Sequence, residues 1–312
     1  MDQIAATILS SGRAAVELAL FVLLPIMIVM LSIMRWLESV GWLNRIVNVV
    51  TPLLRPFGLS GLGVFALIQV MLVSFAAPLA TLAVMARTGS APRHIAATLA
   101  MVLALSQANV VFPMAAAGLD IPVTMGIALI GGLLAASVTW YGFARNLSSD
   151  DKPAANDALP DAAPPKGLMA VIRRAGTDAW DIAIGALPLL VVALVAVNLI
   201  RLTGAIGVLE TSLAPAFEAI GYPTQTLLLG ITKYIAGGTA MMGIAMEQFS
   251  QHLLTPRDIN LLAGLLLCPL DVAGVAILLA AGKPVAEVAR PAIMGAFVGI
   301  AFRIAAHSWL YL

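Results

Sequence analysis

The chain repeats its own helix punctuation. Pro25, Gly41, Pro52 and Gly58 recur as Pro188, Gly204, Pro215 and Gly221, each 163 residues later and without a gap. One inserted residue further on, Pro92-Arg93 recurs as Pro256-Arg257, and Ala116-Ala117-Gly118 recurs as Ala280-Ala281-Gly282. Proline restricts the backbone and glycine frees it, so matched prolines and glycines imply matched backbone geometry. The chain is two copies of one supersecondary unit.

The solvent of that unit follows from composition. Hydrophobic residues make up 61% of the chain and charged residues 11%, against about 25% charged in a typical soluble domain. Several apolar stretches reach the ~20 residues a spanning helix needs. The fold class expected is an all-α polytopic membrane protein. The first apolar run is too long for a signal-peptide core and reads as a retained span. A lone Cys268 excludes an internal disulfide. The net charge of +1 selects no partner, and no nucleic-acid partner is expected. Residues 146–178 read as a linker, because 148–166 is rich in Asp, Pro and Ala and cannot bury a core. The linker divides a first repeat, 1–145, from a second, 179–312.

Within the first repeat, 15–37 forms a span containing Pro25. Residues 41–55 place Asn44, Asn48, Thr51 and Arg55 at i, i+4, i+7 and i+11, opposite Trp42, Ile46, Val49 and Leu53. That pattern predicts an amphipathic helix lying in the membrane interface. A long apolar segment, 59–86, is interrupted at Ser74-Phe75-Ala76-Ala77-Pro78, and its counterpart, 223–247, at Gly237-Gly238-Thr239. Each segment is either one kinked span or a re-entrant hairpin. Next come two spans with polar breaks, 93–115 at Ser106-Gln107-Ala108-Asn109 and 257–281 at Cys268-Pro269-Leu270-Asp271. Two unbroken spans, 121–144 and 291–311, close the repeats.

Charge distribution separates the two readings of the long segments. If they cross the membrane, the halves are parallel and basic residues divide almost evenly between the sides. If they are re-entrant, each half has three spans and the halves are inverted. One side then holds Arg35, Arg45, Arg55, Arg87, Arg93, Arg145, Lys152, Lys166, Arg173, Arg174, Lys283 and Arg290, and the other only Arg13, Arg201 and Arg257. The inverted arrangement is therefore expected: six spans in an inner (plasma) membrane, a cytoplasmic linker and both termini on the non-cytoplasmic side.

The order span, interfacial helix, re-entrant hairpin, broken span, span, followed by its inverted copy, resembles the core of concentrative nucleoside transporters. It is similar as well to the gate, or nucleoside-recognition, domain of the ferrous-iron transporter's membrane region and of spore maturation proteins A and B. The resemblance covers nearly the whole chain outside the linker and rests on element order and break positions. It implies a secondary-transporter-like permease with a small polar solute at the midplane. Where the transporters carry Gln-Thr and Glu-rich hairpin tips, this chain has Ser74 to Pro78 and Gly237-Gly238-Thr239, so the solute class is left open.

Charge inside a membrane costs ~2.5–3.5 kcal/mol per residue at a helix centre on insertion scales and marks candidate sites. Lys233 precedes the second hairpin tip and Asp271 sits in the second broken span; they are expected to pair or to hold a ligand. Gln107, aligned with Asp271, and Asn109 offer amide donors and acceptors. Ser74, Ser106, Gly237, Gly238 and Thr239 offer hydroxyl and backbone groups at helix ends, which favour ions. Glu17 and Arg303 are read as a structural pair, and Met241, Met242 and Met246 as core filler. His94, His252 and His307 have no carboxylate or thiol cluster beside them, so no metal site is expected. No motif of enzymatic chemistry occurs. The reading calls for no cofactor; coupling, where present, would be to H⁺ or Na⁺ through Asp271. Partners would be lipid, a small polar solute or ion, and a second copy in a homo-oligomer. The alternative is a non-transporting structural or regulatory membrane module with the same fold.

Overall fold

The computed structural model describes residues 2–150, 167–204, 208, 211–213, 215, 217 and 221–312. Helices α1 (Asp2–Glu17) and α2 (Leu24–Ser39) are joined by a π-helical turn at Leu18–Leu23. Pro25 lies directly after that turn. Its ring and missing N–H disrupt a regular helix, and a π-bulge is a common way for a helix to continue past such a disruption. After Gly41, held at φ 72, comes α3 (Trp42–Leu54). It buries Leu43, Val47 and Leu54 and exposes Trp42, Ile46, Val49 and Leu53. The chain then bends by 104° into α4 (Gly61–Leu72), the angle expected between an interfacial helix and a membrane-penetrating one.

Helix α4 is followed by a tip at 73–77 and by α5 (Pro78–Thr88). The two arms pack against each other, and Thr81 Oγ1 donates to Gln69 Oε1 at 2.7 Å between them. The segment also returns to its starting end. His94 Nδ1 lies 2.7 Å from Gly58 O, and the Trp140 ring lies against His94 at a tilt of 32°. Between the two readings left open by the sequence, this geometry is a hairpin. The first broken span comprises α6 (Pro92–Ala104) and α7 (Ala108–Met114). Helix α8 (Ile121–Val138) then runs into a π-helical turn, Thr139–Phe143.

Helix α9 (Leu168–Leu202) opens the second half. It begins eleven residues earlier than the repeat boundary read from the sequence, so 168–178 is helical rather than linker. Residues 151–166, the Pro-rich part of that linker, lie outside the described residues. The second hairpin is α10 (Leu227–Ala236) and α11 (Gly238–Ser250), turned at Gly237 with φ 88 and ψ 172. The second broken span is α12 (Pro256–Leu266), started by a Thr255/Asp258 capping box, and α13 (Val272–Leu279). Helices α14 (Lys283–Glu287) and α15 (Ala289–Tyr311) follow.

Among the described residues there is no strand. By length and composition, four stretches among the described residues can cross a membrane: Ile4–Leu37, Pro92–Ala117, Ile121–Phe143 and Ala289–Tyr311. The protein is an all-α polytopic membrane protein. Of the other two expected crossings, α9 and the α12–α13 pair occupy the positions.

The duplication extends to the backbone. Gly41 and Gly204, Gly58 and Gly221, and Gly118 and Gly282 all have positive φ, pair by pair. The equivalent first helices of the two halves run antiparallel. Arg35 near the end of α2 pairs with Asp178 near the start of α9, while Asn198 near the end of α9 donates to Ser11 in α1 at 3.0 Å. The second half of each broken span contacts its own repeat's hairpin, α7 against α4 and α13 against α10, and reaches across to the other as well. Helix α7 packs against α11, and α13 packs against α5.

At the centre, α15 packs against α6, α8 and α12. Small residues permit this approach, as in other membrane bundles. A Cβ added at Gly299 would meet Ala135 Cβ at 2.9 Å, and one at Gly295 would meet Ala135 O at 2.9 Å.

Candidate solute site at the crossing of the broken helices

The two polar breaks are tied to each other. Gln107 begins α7, and its backbone N–H donates to Leu267 O at 3.0 Å. Its side-chain Nε2 donates to Cys268 O at 3.3 Å. Asp271 occupies the equivalent place at the start of α13, where its Oδ1 accepts from Gly274 N at 2.7 Å. That is an N-cap, and a carboxylate there is favoured by the helix dipole. Lys233 sits in the last turn of α10, where a cation is favoured for the same reason. The expected pair forms: Lys233 Nζ donates to Asp271 Oδ2. Both side chains are buried, so each charge is compensated by its partner and by a helix end.

Gly237 and Gly238 close the cluster. A Cβ on Gly238 would collide with the Gln107 amide, and one on Gly237 would lie 3.8 Å from Asp271 Oδ1. Thus Gln107, Lys233, Gly237, Gly238 and Asp271 come together where the second hairpin tip meets both breaks. Asn109 is buried two residues along α7, a helix that contacts both α4 and α11. Ser74 is buried at the first hairpin tip. Thr239 is half-buried in the first turn of α11. Three acceptor oxygens in this region make no hydrogen bond within the described residues: Ser74 Oγ, Gln107 Oε1 and Asn109 Oδ1. Buried polar atoms are satisfied in the great majority of cases, so these are candidates for ligand contact, as are other unpartnered buried atoms such as Gln248 Oε1, Arg303 Nε and both His307 nitrogens.

Ser106 has a different role. Its hydroxyl accepts from Arg303 Nη2 at 2.7 Å. The Glu17–Arg303 pair expected from the sequence does not form. Glu17 is exposed and lines a cavity of about 670 Å³ with Phe21, Asn198, Met246 and Glu247. Arg303 is wholly buried and donates to the main chain instead. Its importance has a sequence signal not used above: Gly295, Gly299, Arg303 and His307 recur every fourth residue, on one face of α15. Met241 and Met242 are fully buried, as core filler would be. A second cavity, about 860 Å³, is lined chiefly by apolar residues of α10, α12 and α15 with Tyr222, Tyr234 and Ser308. Neither of these cavities is lined by the Lys233–Asp271 pair.

No family model matches the chain. A stretch of 72 residues, 23% of this chain, is 36% identical to spore maturation protein B of Bacillus subtilis (strain 168) and covers 40% of that protein. The whole chain superposes on solved structures of a concentrative nucleoside transporter, CNTnw. With its inward-facing substrate-bound state the TM-score is 0.68 at 15% identity, covering 100% of this chain and 84% of the other. With an outward-facing variant it is 0.67 at 17% identity, over 100% and 84%. With a variant in an intermediate state it is 0.62, also at 17%. This chain therefore has the concentrative nucleoside transporter fold.

Proposed function

We propose that the protein is a secondary-transporter-like permease of an inner membrane, binding a small polar solute where the hairpin tips meet the broken helices. The observation that carries this reading is the meeting of Gln107, Gly237, Gly238, Lys233 and Asp271, with two buried amide acceptors at the start of α7, Gln107 Oε1 and Asn109 Oδ1, making no hydrogen bond within the described residues. Acceptors call for donors, so the solute would present hydroxyl or N–H groups, as a nucleoside does. Lys233 and Asp271 would orient it or change partners as it binds; a coupling proton or Na⁺ would act at Asp271. Alternating access would move hairpins against the central bundle. The antiparallel first helices and the returning hairpins support an inverted topology, and the basic residues then place the linker in the cytoplasm and both termini outside.

The test is a thermal-shift and proteoliposome-uptake screen of the purified full chain against nucleosides, divalent cations and organic anions. A stabilising shift and uptake for a hydroxyl-rich neutral solute, both lost in Gln107→Ala, are expected. Silence across all three classes would favour a second reading, a non-transporting membrane module. One observation favours that alternative: Lys233 and Asp271 already satisfy each other.

A further inference from the structure

Arg303 carries a full charge to the middle of the bundle. It is 0% exposed, and among the described residues no carboxylate pairs with it. Its three hydrogen bonds go to Ala104 O, to Ser106 Oγ and to Ala263 O. Ala104 is the last residue of α6, and Ala263 lies in the last turn of α12. These are the C-terminal ends of the first halves of both broken spans, one from each repeat. Each such end carries about half a negative elementary charge. Two of them together balance one guanidinium.

The place is built for this side chain. A Cβ at Gly131 of α8 would lie 2.5 Å from Arg303 Cγ, and one at Gly264 of α12 would lie 2.6 Å from Arg303 O. Glycine on both neighbouring helices leaves the slot through which the arginine backbone and stem pass.

Carbonyls at the ends of interrupted membrane helices are ligands for coupling cations in secondary transporters. We propose that in this chain Arg303 is a tethered cation, holding the C-terminal ends of α6 and α12 together in the position a free cation would otherwise take. The junction is consequently independent of Na⁺, and removing the guanidinium creates a site for a small planar organic cation. The planar fork with several fixed donors suits three acceptors on two helices in a way that an ammonium does not. This inference does not depend on the solute site proposed above.

The experiment is thermal unfolding of the purified full chain in detergent. The midpoint of Asp271→Asn, in which no coupling Na⁺ can act at that carboxylate, should be the same in sodium chloride and in choline chloride at equal ionic strength. Arg303→Ala should unfold at a lower temperature than wild type and regain part of the loss with methylguanidinium, but not with tetramethylammonium. Arg303→Lys should fall between the two. A midpoint raised by sodium over choline in Asp271→Asn would overturn the proposal. So would an Arg303→Ala midpoint equal to wild type, or rescue by tetramethylammonium as large as by methylguanidinium. If Arg303→Ala yields no folded protein, the comparison of sodium with choline in Asp271→Asn decides alone.

Discussion

His94 Nδ1 sits 2.7 Å from the carbonyl oxygen of Gly58, so residues on either side of the first long apolar segment touch. A segment crossing the membrane would separate them by about 30 Å, the thickness of the hydrocarbon core. The second repeat closes in the same manner through the end of the chain: Gly221 abuts Leu312, whose carbonyl accepts from Arg257.

Labelling from one side of the membrane should reproduce this arrangement. With Cys268 replaced by Ala, Asp120→Cys should react with an impermeant maleimide in intact cells. Arg145→Cys and Lys283→Cys should react only after permeabilisation. Labelling of Lys283→Cys together with Asp120→Cys in intact cells would refute the inverted topology.

Removing one partner of the buried Lys233–Asp271 pair leaves an uncompensated charge, which costs about 3–5 kcal/mol. Lys233→Met and Asp271→Asn should each lower the thermal midpoint of the purified protein strongly, and the double variant less than their sum. Additive losses would show that the two side chains act separately.

Gly238 leaves room for the Gln107 amide. Gly238→Ala should cost about 1–3 kcal/mol by overpacking, with partial recovery on adding Gln107→Ala. Circular-dichroism melts of the single and double variants measure it. A harmless Gly238→Ala would mean that the hairpin tip is not seated against α7.

A cross-link provides a separate check on the antiparallel pairing of the first helices. Ser11→Cys with Asn198→Cys, again without Cys268, should form a disulfide under mild oxidation, because Asn198 Nδ2 lies 3.0 Å from Ser11 Oγ. Ser11→Cys with Asp178→Cys should not, since those positions lie at opposite ends of the helix pair. The mobility of the oxidised chain in a non-reducing gel distinguishes the outcomes.

What the residue pattern revealed and what it concealed have a common physical origin. Breaks at Ser74–Pro78, Gly237, Ser106–Asn109 and Cys268–Asp271 are legible because proline, glycine and polar side chains act locally on the backbone. Lys233 and Asp271 stand out because charge is rare in an apolar chain. Arg303 stands out equally, yet its partners are main-chain carbonyls of Ala104 and Ala263, which no side-chain pattern can display. Ser106 was legible as a polar residue at a break but not as a hydroxyl already engaged by Arg303. The start of α9 was hidden for a related reason. Arg173, Arg174 and Asp178 look like linker, but they form helical turns outside the apolar span, and Asp178 is held by Arg35.

The sharing of half-helices between the repeats governs how the molecule can deform. Because α7 leans on α11 as well as on α4, and α13 on α5 as well as on α10, each hairpin is braced by both repeats. A displacement of the second hairpin drags the C-terminal half of the first repeat's broken helix, and the converse holds for the first hairpin. Arg303 grips the first halves of both broken spans on the near side of the breaks. A change in one copy of the repeat would therefore be felt in the other.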